Sequence, residues 1–178
     1  FFDCRSLTSI VIPNSVTNIG GQAFSDCLSL TSIEIPNSVT SIGYRAFRDC
    51  TRLTSIEIPN SVTSIGQYAL EGCTNLESIT IPFVGNTLNG TSNTHFGYIF
   101  GASSDSLNSD YVPTSLKEVI ITGGASIGNR VFYNCTSLIS IEIPNSVTSI
   151  EGSAFSRCSS LESIIIPNSV TSIGQYAF

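Results

Sequence analysis

Six cysteines and one histidine are the residues of this 178-residue chain that could support metal, redox or nucleophilic chemistry. The cysteines are Cys4, Cys27, Cys50, Cys73, Cys135 and Cys158, and most neighbours are 23 residues apart. A column at constant spacing does not bring four ligands to one point, as zinc requires. Parallel Cβ vectors on stacked units also fit a disulfide dihedral poorly. We therefore predict free thiols that are buried as small apolar residues, and no metal or other cofactor.

The histidine, His95, has no cysteine or aspartate at motif spacing. Nothing in the sequence places a base beside a nucleophile, which covalent catalysis needs, and no phosphate-binding or dinucleotide glycine motif is present. The sequence therefore predicts a protein that is not an enzyme.

A 23-residue phrase positions the cysteines: Cys-x-x-Leu-x-x-Ile-x-Ile-Pro-Asn-Ser-Val-Thr-Ser-Ile-Gly-x-x-Ala-Phe. Its Leu-x-x-Ile-x-Ile part occurs seven times, with Val119 replacing the first isoleucine in the fifth copy. Repeats of this length are typical of solenoids, whose units bury a core only by stacking. The alternating isoleucines predict a strand that the following proline ends. Val-Thr-Ser-Ile predicts a second extended segment, and Gly-x-x-Ala-Phe predicts a helical or 3₁₀ return.

The phrase resembles that of the BspA-like (Treponema pallidum type) leucine-rich repeat family, and all residues except 83–115 fit it. The resemblance implies a right-handed, β-dominated array with a parallel sheet on one face and short extended or 3₁₀ segments on the other. It also implies a secreted or cell-surface protein that binds host matrix proteins or other microbial surface proteins. Glu151 in the glycine position and Leu70 in the phenylalanine position depart from the phrase.

Composition disfavours two kinds of partner. The net charge is −6 and Lys117 is the only lysine, so the chain lacks the basic stripe of a nucleic-acid-binding surface. No run of apolar residues is long enough to span a bilayer. We read residues 1–178 as one segment of a longer array, because neither end has the polar cap of a terminal repeat. Such uncapped ends would allow end-to-end association.

The residue between the two isoleucines should face outward on the sheet. It is glutamate at Glu34, Glu57 and Glu142. Glu34 and Glu57 should lie side by side. The glutamates either belong to a solvated sheet surface, since charge on strands maintains solubility, or form a small acidic patch that favours a basic partner.

The phrase is interrupted between Pro82 and Leu116. Leu76 and Leu116 are 40 residues apart instead of 23, so about 17 residues are inserted. Candidate partner-binding residues in this insertion are His95, Phe96, Tyr98, Phe100 and Tyr111, because aromatic side chains dominate interface hot spots. The alternative is that His95 to Phe100 fold onto the solenoid as a small β-element or lid, since so many exposed rings would form an unusually large apolar patch.

The sequence thus predicts a non-enzymatic protein-binding or adhesion module. Divergence in the insertion favours that function. The alternative is a passive spacer that projects other domains from a cell surface, which the near-identity of the repeats favours.

Overall fold

The computed structural model describes residues 1–178 as a β-solenoid of seven stacked repeats. Eleven short strands and three short helical segments make up its regular structure. The strands are β1 (Asn18–Ile19), β2 (Ser41–Ile42), β3 (Ser55–Glu57), β4 (Ser64–Ile65), β5 (Ser78–Ile81), β6 (Glu118–Ile121), β7 (Ser126–Ile127), β8 (Ser140–Glu142), β9 (Ser149–Ile150), β10 (Ser163–Ile165) and β11 (Ser172–Ile173). The insertion contains two 3₁₀ helices (Phe96–Phe100 and Asp105–Leu107) and α1 (Asn108–Tyr111).

The Ile-x-Ile segments form the parallel sheet that the sequence predicts. Its strand order is β3-β5-β6-β8-β10, and a single parallel bridge between Val11 and Glu34 extends the same face toward the first repeat. The isoleucines point inward and the central residue points outward, as the burial pattern of β3 shows. The insertion does not interrupt this sheet, because β5 pairs directly with β6 in regular register.

The Val-Thr-Ser-Ile segments form a second ladder, which the insertion divides in two. One half is β1-β2-β4 and the other is β7-β9-β11, and all pairs are parallel. Between the halves, Ser64 forms an antiparallel bridge with Thr87. The segment around Thr87 therefore occupies the fourth position of the second ladder, and it runs antiparallel to β4.

The return from the second ladder to the next cysteine is a hydrogen-bonded turn, and this corrects the predicted 3₁₀ return for the regular repeats. Its amides donate to the following repeat: the N–H of Gln22 binds the Tyr44 carbonyl at 2.9 Å and the N–H of Phe24 binds the Ala46 carbonyl at 2.8 Å. The turn thus forms a third ladder in which N–H groups face one end of the solenoid and C=O groups face the other.

The core is a row of identical cells closed by stacked phenylalanines. Rings of Phe24 and Phe47 lie 5.5 Å apart and nearly parallel, and Phe132 and Phe155 repeat this arrangement. Forty-one buried residues form a single apolar cluster along the chain. Offset-stacked aromatic pairs contribute about 0.5–1.5 kcal/mol each beyond the burial of their area, so the column stabilises the steps at which two rings meet. Leu70 takes the place of the ring in the third repeat.

The insertion contains the return of the fourth repeat, in a different local structure. The carbonyls of Tyr98 and Ile99 accept the amides of Tyr68 (3.4 Å) and Leu70 (2.8 Å), and the amide of Phe96 donates to the Val131 carbonyl at 2.8 Å. A helix leaves N–H groups free at its start and C=O groups free at its end. The first 3₁₀ helix therefore presents its N–H groups to one neighbouring repeat and its C=O groups to the other, as the regular turns do. It replaces one turn of the third ladder and leaves that ladder continuous.

The side chain of Asn108 completes that junction. Its oxygen accepts the Gly97 amide at 2.9 Å, and its NH₂ group donates to the carbonyls of Val131 (3.3 Å) and Tyr133 (2.8 Å). Arg48 occupies the position of the repeat that corresponds to Tyr133. Its carbonyl accepts a hydrogen bond from the backbone amide of Asp26 in the preceding repeat. Fully buried Asn108 supplies the donor that the altered backbone lacks.

Candidate protein-interaction surface

The outer face of the main sheet presents the residues that the sequence predicts there. Val11 and Ile165 are 89% and 84% exposed at its two ends. Glu34 and Glu57 line the same shallow depression together with Ser32, Ser55 and Asn37. Glu142 is also exposed, but its register partners are Ile120 and Ile165, so it does not join the other two glutamates. Glu34 and Glu57 are therefore neighbours on this face, as predicted, and Glu142 lies apart from them.

Three of the candidate residues in the insertion are buried. Phe96 and Phe100 are each 1% exposed. Their rings contact each other, and the ring of Phe96 also contacts that of Phe132 in the aromatic column. His95 is 8% exposed and packs edge-on against Tyr98. These residues close the core of the fourth repeat, so Phe96 and Phe100 follow the alternative in which the segment packs onto the solenoid. The segment is a 3₁₀ helix, not a β-element.

The remaining two candidates, Tyr98 and Tyr111, lie at the edge of an aromatic surface that extends onto the neighbouring repeats. Tyr111 is 43% exposed and Tyr98 is partly buried. Gly101, with a φ of 111°, lies between the rings of Tyr68 and Tyr111, and a Cβ there would be 2.6 Å from Tyr68 Cδ1. Glycine at this position therefore allows the two tyrosines to approach the same stretch of backbone.

Tyr44 continues this surface in the second repeat. Its ring lies 5.6 Å from that of Tyr68 in an edge-to-face arrangement. The guanidinium of Arg45 is 4.9 Å from the Tyr44 centroid and 5.0 Å from the Tyr68 centroid, within the range of a cation–π interaction. We call Tyr44, Arg45, Tyr68 and Tyr111 the tyrosine strip.

Ion pairs hold the base of the tyrosine strip without giving it a net charge. Arg45 and Arg48 both reach Glu71, at 3.4 and 2.9 Å, and Arg48 also reaches Asp49 at 3.1 Å. Two positive and two negative groups therefore compensate each other. The strip combines tyrosine and arginine, the residue types that are enriched in interface hot spots.

The cysteines have a structural role, as predicted from their spacing. All six are free, and the thiol of Cys50 donates to the Phe24 carbonyl of the preceding repeat at 3.2 Å. Cys73 and Cys158 make the same bond to Phe47 and Phe132. Burial raises the pKa of Cys50 to about 12 and that of Cys158 to about 11. The thiols are therefore protonated near neutral pH and are poor nucleophiles.

One motif with a possible chemical role was missed in the sequence. Residues 124–128 read Gly-Ala-Ser-Ile-Gly, which matches the Gly-x-Ser-x-Gly pattern of hydrolase nucleophiles. The structure places Ser126 in the two-residue strand β7, not on a strand-to-helix turn. No hydrogen bond joins its hydroxyl to His95 or to any carboxylate. The pattern here is a variant of the repeat phrase. The structure also brings no three metal-ligating side chains together.

His95 is a buried titratable group in the insertion. Its Nδ1 atom has no hydrogen-bond partner. Burial lowers its pKa, while Asn108 and Asp105 act in the opposite direction. The charged groups around it are Asp105 and its ion-pair partner Arg130, whose Nε lies 3.1 Å from the carboxylate.

We expect the protein to lose stability as the pH falls below about 6.5, the ordinary pKa of histidine. Because burial lowers the folded-state pKa of His95, the unfolded chain binds more protons below the ordinary pKa of about 6.5. The stability is thus complete above that value and decreases as pH falls toward the lowered pKa, by at most about 1.4 kcal/mol per pH unit for one proton. Urea unfolding at several pH values should show a flatter profile for His95→Gln. An identical slope in the variant would contradict this assignment.

The comparisons with known proteins agree with this geometry. The model of the BspA type leucine rich repeat region matches residues 1–120 and 109–178, in six copies. The chain belongs to the BspA-type leucine-rich repeat family. The match covers the insertion as well, as expected if residues 83–115 contain the return of a regular repeat.

Solved structures of bacterial leucine-rich repeat proteins have the same fold. One from Bacteroides ovatus is 29% identical over 98% of this chain and 46% of its own length, with a TM-score of 0.58. A Treponema pallidum leucine rich repeat protein is 25% identical over 94% of this chain and 73% of its own, with a TM-score of 0.56. A protein from Faecalibacterium prausnitzii, described as a leucine rich cell surface protein, is 29% identical over 97% and 45%, with a TM-score of 0.54.

The chain spans about half the length of the Bacteroides and Faecalibacterium proteins. No curated protein matches the sequence closely enough to count as a relative. None of the helices in the structure has the length and apolar character needed to cross a bilayer.

Proposed function

We propose that the chain is a non-enzymatic protein-binding module of a secreted or cell-surface leucine-rich repeat protein, and that it binds a protein partner through the tyrosine strip. The observation that supports this most directly is the strip itself. Tyr44 and Tyr111 are 45% and 43% exposed and lie on either side of Tyr68, with Arg45 between the first two rings. The similarity to a protein described as a cell surface protein supports the location.

The strip combines exposed rings with a rigid base, which favours binding. Tyr44 and Tyr68 lie on the returns of regular repeats, whose backbone is held by the forward ladder: the Arg45 amide donates to the Gln67 carbonyl at 3.2 Å. Tyr111 ends α1, which is fixed by the buried side chain of Asn108. A preorganised surface loses less conformational entropy when a partner binds. The partner contact therefore requires little rearrangement.

We expect the double variant, in which Tyr44 and Tyr111 are both replaced by alanine, to bind the partner with much lower affinity. Truncation of a hot-spot residue costs about 2 kcal/mol or more of binding free energy, so we expect the dissociation constant to increase at least about thirtyfold. The measurement is surface plasmon resonance against purified matrix proteins (collagen, laminin and fibronectin) and against surface extracts of co-resident bacteria.

A matched control is available in the last repeat. Tyr176 occupies the same position of the phrase as Tyr68 and is 73% exposed, but it has no insertion beside it. Tyr176→Ala should bind as the unmodified chain does. Equal binding by the double variant, with an unchanged circular dichroism spectrum, would rule out the strip. If the unmodified chain binds none of these proteins, the passive spacer becomes the better description.

A further inference from the structure

Two arginine side chains lie against one tyrosine ring just after the return of the fifth repeat. The guanidinium carbon of Arg130 is 4.1 Å from the ring centroid of Tyr133, and that of Arg157 is 5.5 Å from it. The Arg130 side chain is 41% exposed, Arg157 is exposed and Tyr133 is half-buried. We call Arg130, Tyr133 and Arg157 the arginine cluster.

The arginine cluster carries one positive charge that the chain does not compensate. Asp105 forms an ion pair with Arg130 at 3.1 Å, but the guanidinium of Arg157 forms no ion pair or hydrogen bond within the chain. The arginines of the tyrosine strip differ, because Glu71 and Asp49 balance both of them. The chain as a whole has a net charge of −6. A local excess of positive charge on such a chain favours an anionic group of a partner at this point.

The backbone of Arg157 is unfavourable for an arginine. Its φ is 64°, in the left-handed region, and the residue before every other cysteine also has a positive φ. Those residues are Asp3, Asp26, Asp49, Gly72 and Asn134. Aspartate, asparagine and glycine adopt this conformation most readily, whereas other residues do so at a cost that is often associated with function. Local backbone preference therefore does not account for Arg157, and its side chain must.

The arginine cluster is continuous with the tyrosine strip. The side-chain NH₂ group of Asn134, the residue after Tyr133, donates to the Ser109 hydroxyl at 2.8 Å. Ser109 lies in α1, which ends at Tyr111 of the strip. The Tyr133 carbonyl in turn accepts a hydrogen bond from Asn108 of the same helix at 2.8 Å. A partner in contact with Tyr111 is therefore close to the arginine cluster as well.

We propose that the arginine cluster binds an acidic side chain of the protein partner, with Arg157 as its principal ligand. This inference rests on the proposed function, because it assigns the chemistry of the partner beside the tyrosine strip. A guanidinium presents a planar fork of N–H donors that matches the two oxygens of a carboxylate. A single carboxylate fits better than a polyanion, because Asp105 and Asp110 lie in the adjoining insertion and repel further negative charge.

The test selects short peptides from a random display library on the full chain. Surface plasmon resonance then measures each selected peptide against the unmodified chain and three variants: Arg157→Asn, Arg52→Gln and the double variant Tyr44→Ala/Tyr111→Ala. Asparagine already occupies the equivalent position at Asn134, so Arg157→Asn should fold with an unchanged circular dichroism spectrum and urea midpoint. Arg52 is exposed and also lacks an ion pair, so Arg52→Gln removes the same charge elsewhere and is the matched control.

We expect the selected peptides to contain aspartate or glutamate and to bind Arg157→Asn at least about fivefold more weakly, the factor that corresponds to one ion pair of about 1 kcal/mol. Replacing the acidic residue of a peptide by its amide should have the same effect, and the two changes together should weaken binding no further than either alone. Arg52→Gln should bind as the unmodified chain does.

Several outcomes would overturn the proposal. Peptides without an acidic residue, or equal binding by Arg157→Asn, would exclude the carboxylate site, and the proposed function would still stand if the double variant loses binding. Equal losses in Arg157→Asn and Arg52→Gln would show that only the net charge matters. A lower urea midpoint with unchanged binding would assign Arg157 to packing against Tyr133. Peptides that depend on Arg157 but not on the two tyrosines would support the arginine cluster and contradict the tyrosine strip, and a library without binding peptides would contradict both.

Discussion

Replacing Asn108 by alanine is expected to lower the free energy of unfolding by about 3–5 kcal/mol. The buried side chain makes hydrogen bonds to Gly97, Val131 and Tyr133. Alanine removes all three and leaves at least the buried Gly97 amide and the half-buried Tyr133 carbonyl without a partner in the chain. Each buried polar group left in this state costs about 1–3 kcal/mol. The measurement is equilibrium urea unfolding followed by circular dichroism.

Two further variants show whether the geometry of the amide is responsible. Asn108→Asp keeps the acceptor for Gly97 but places a carboxylate against two carbonyl oxygens, so we expect it to be at least as unstable as the alanine variant. Asn129→Ala changes an exposed asparagine and should shift stability by less than about 0.5 kcal/mol. A loss of under 1 kcal/mol in Asn108→Ala would show that water or local rearrangement satisfies the exposed groups.

The regular part of the fold could be predicted because each position of the phrase has one local role. The alternation in Ile-x-Ile gives the inward and outward faces of β3, and the proline after it ends the strand. The cysteine spacing predicts a column of free thiols, and the structure confirms it. The 3₁₀ return was predicted wrongly, because nothing local indicates that the amides of the turn donate to the next repeat.

The insertion could not be predicted in detail because its structure depends on groups that are distant in sequence. Asn108 has no motif around it, and its importance follows from the carbonyls of Val131 and Tyr133, more than 20 residues later. Phe96 and Phe100 have the composition of a binding surface, yet they are buried, because they pack in the core of the fourth repeat, where Phe96 contacts Phe132. Tyr44 and Tyr68 look like ordinary variation within the phrase, and only the position of Tyr111 beside Gly101 shows that they belong to a larger surface.

Replacing Gly66 by alanine is expected to destabilise the protein by about 3 kcal/mol or more, whereas the same change at Gly20 should be close to neutral. The two glycines occupy the same position of the phrase in different repeats. A Cβ on Gly66 would lie 2.4 Å from the backbone nitrogen of Tyr44 and 2.6 Å from the Gly43 carbonyl carbon. Gly20 lies in the first repeat of these 178 residues, where no earlier repeat is packed against it, and a Cβ there meets no atom within 4 Å. Backbone atoms cannot rotate away as a flexible side chain can, so the two repeats must separate. Overpacking of a rigid interior typically costs about 1–3 kcal/mol and sometimes more.

The paired design isolates stacking from the local properties of glycine. Both variants gain the same methyl group and lose the same backbone freedom in the unfolded chain, so the difference between their unfolding free energies reports the contact between repeats. Separation at Gly66 would also weaken the hydrogen bond from its amide to the Ile42 carbonyl, which is 2.8 Å long, and should increase amide exchange in β2 and β4. If Gly20→Ala and Gly66→Ala are equally stable, neighbouring repeats are not in close backbone contact at this position. A difference confined to Gly66 instead means that the glycine of the phrase sets how closely the repeats approach.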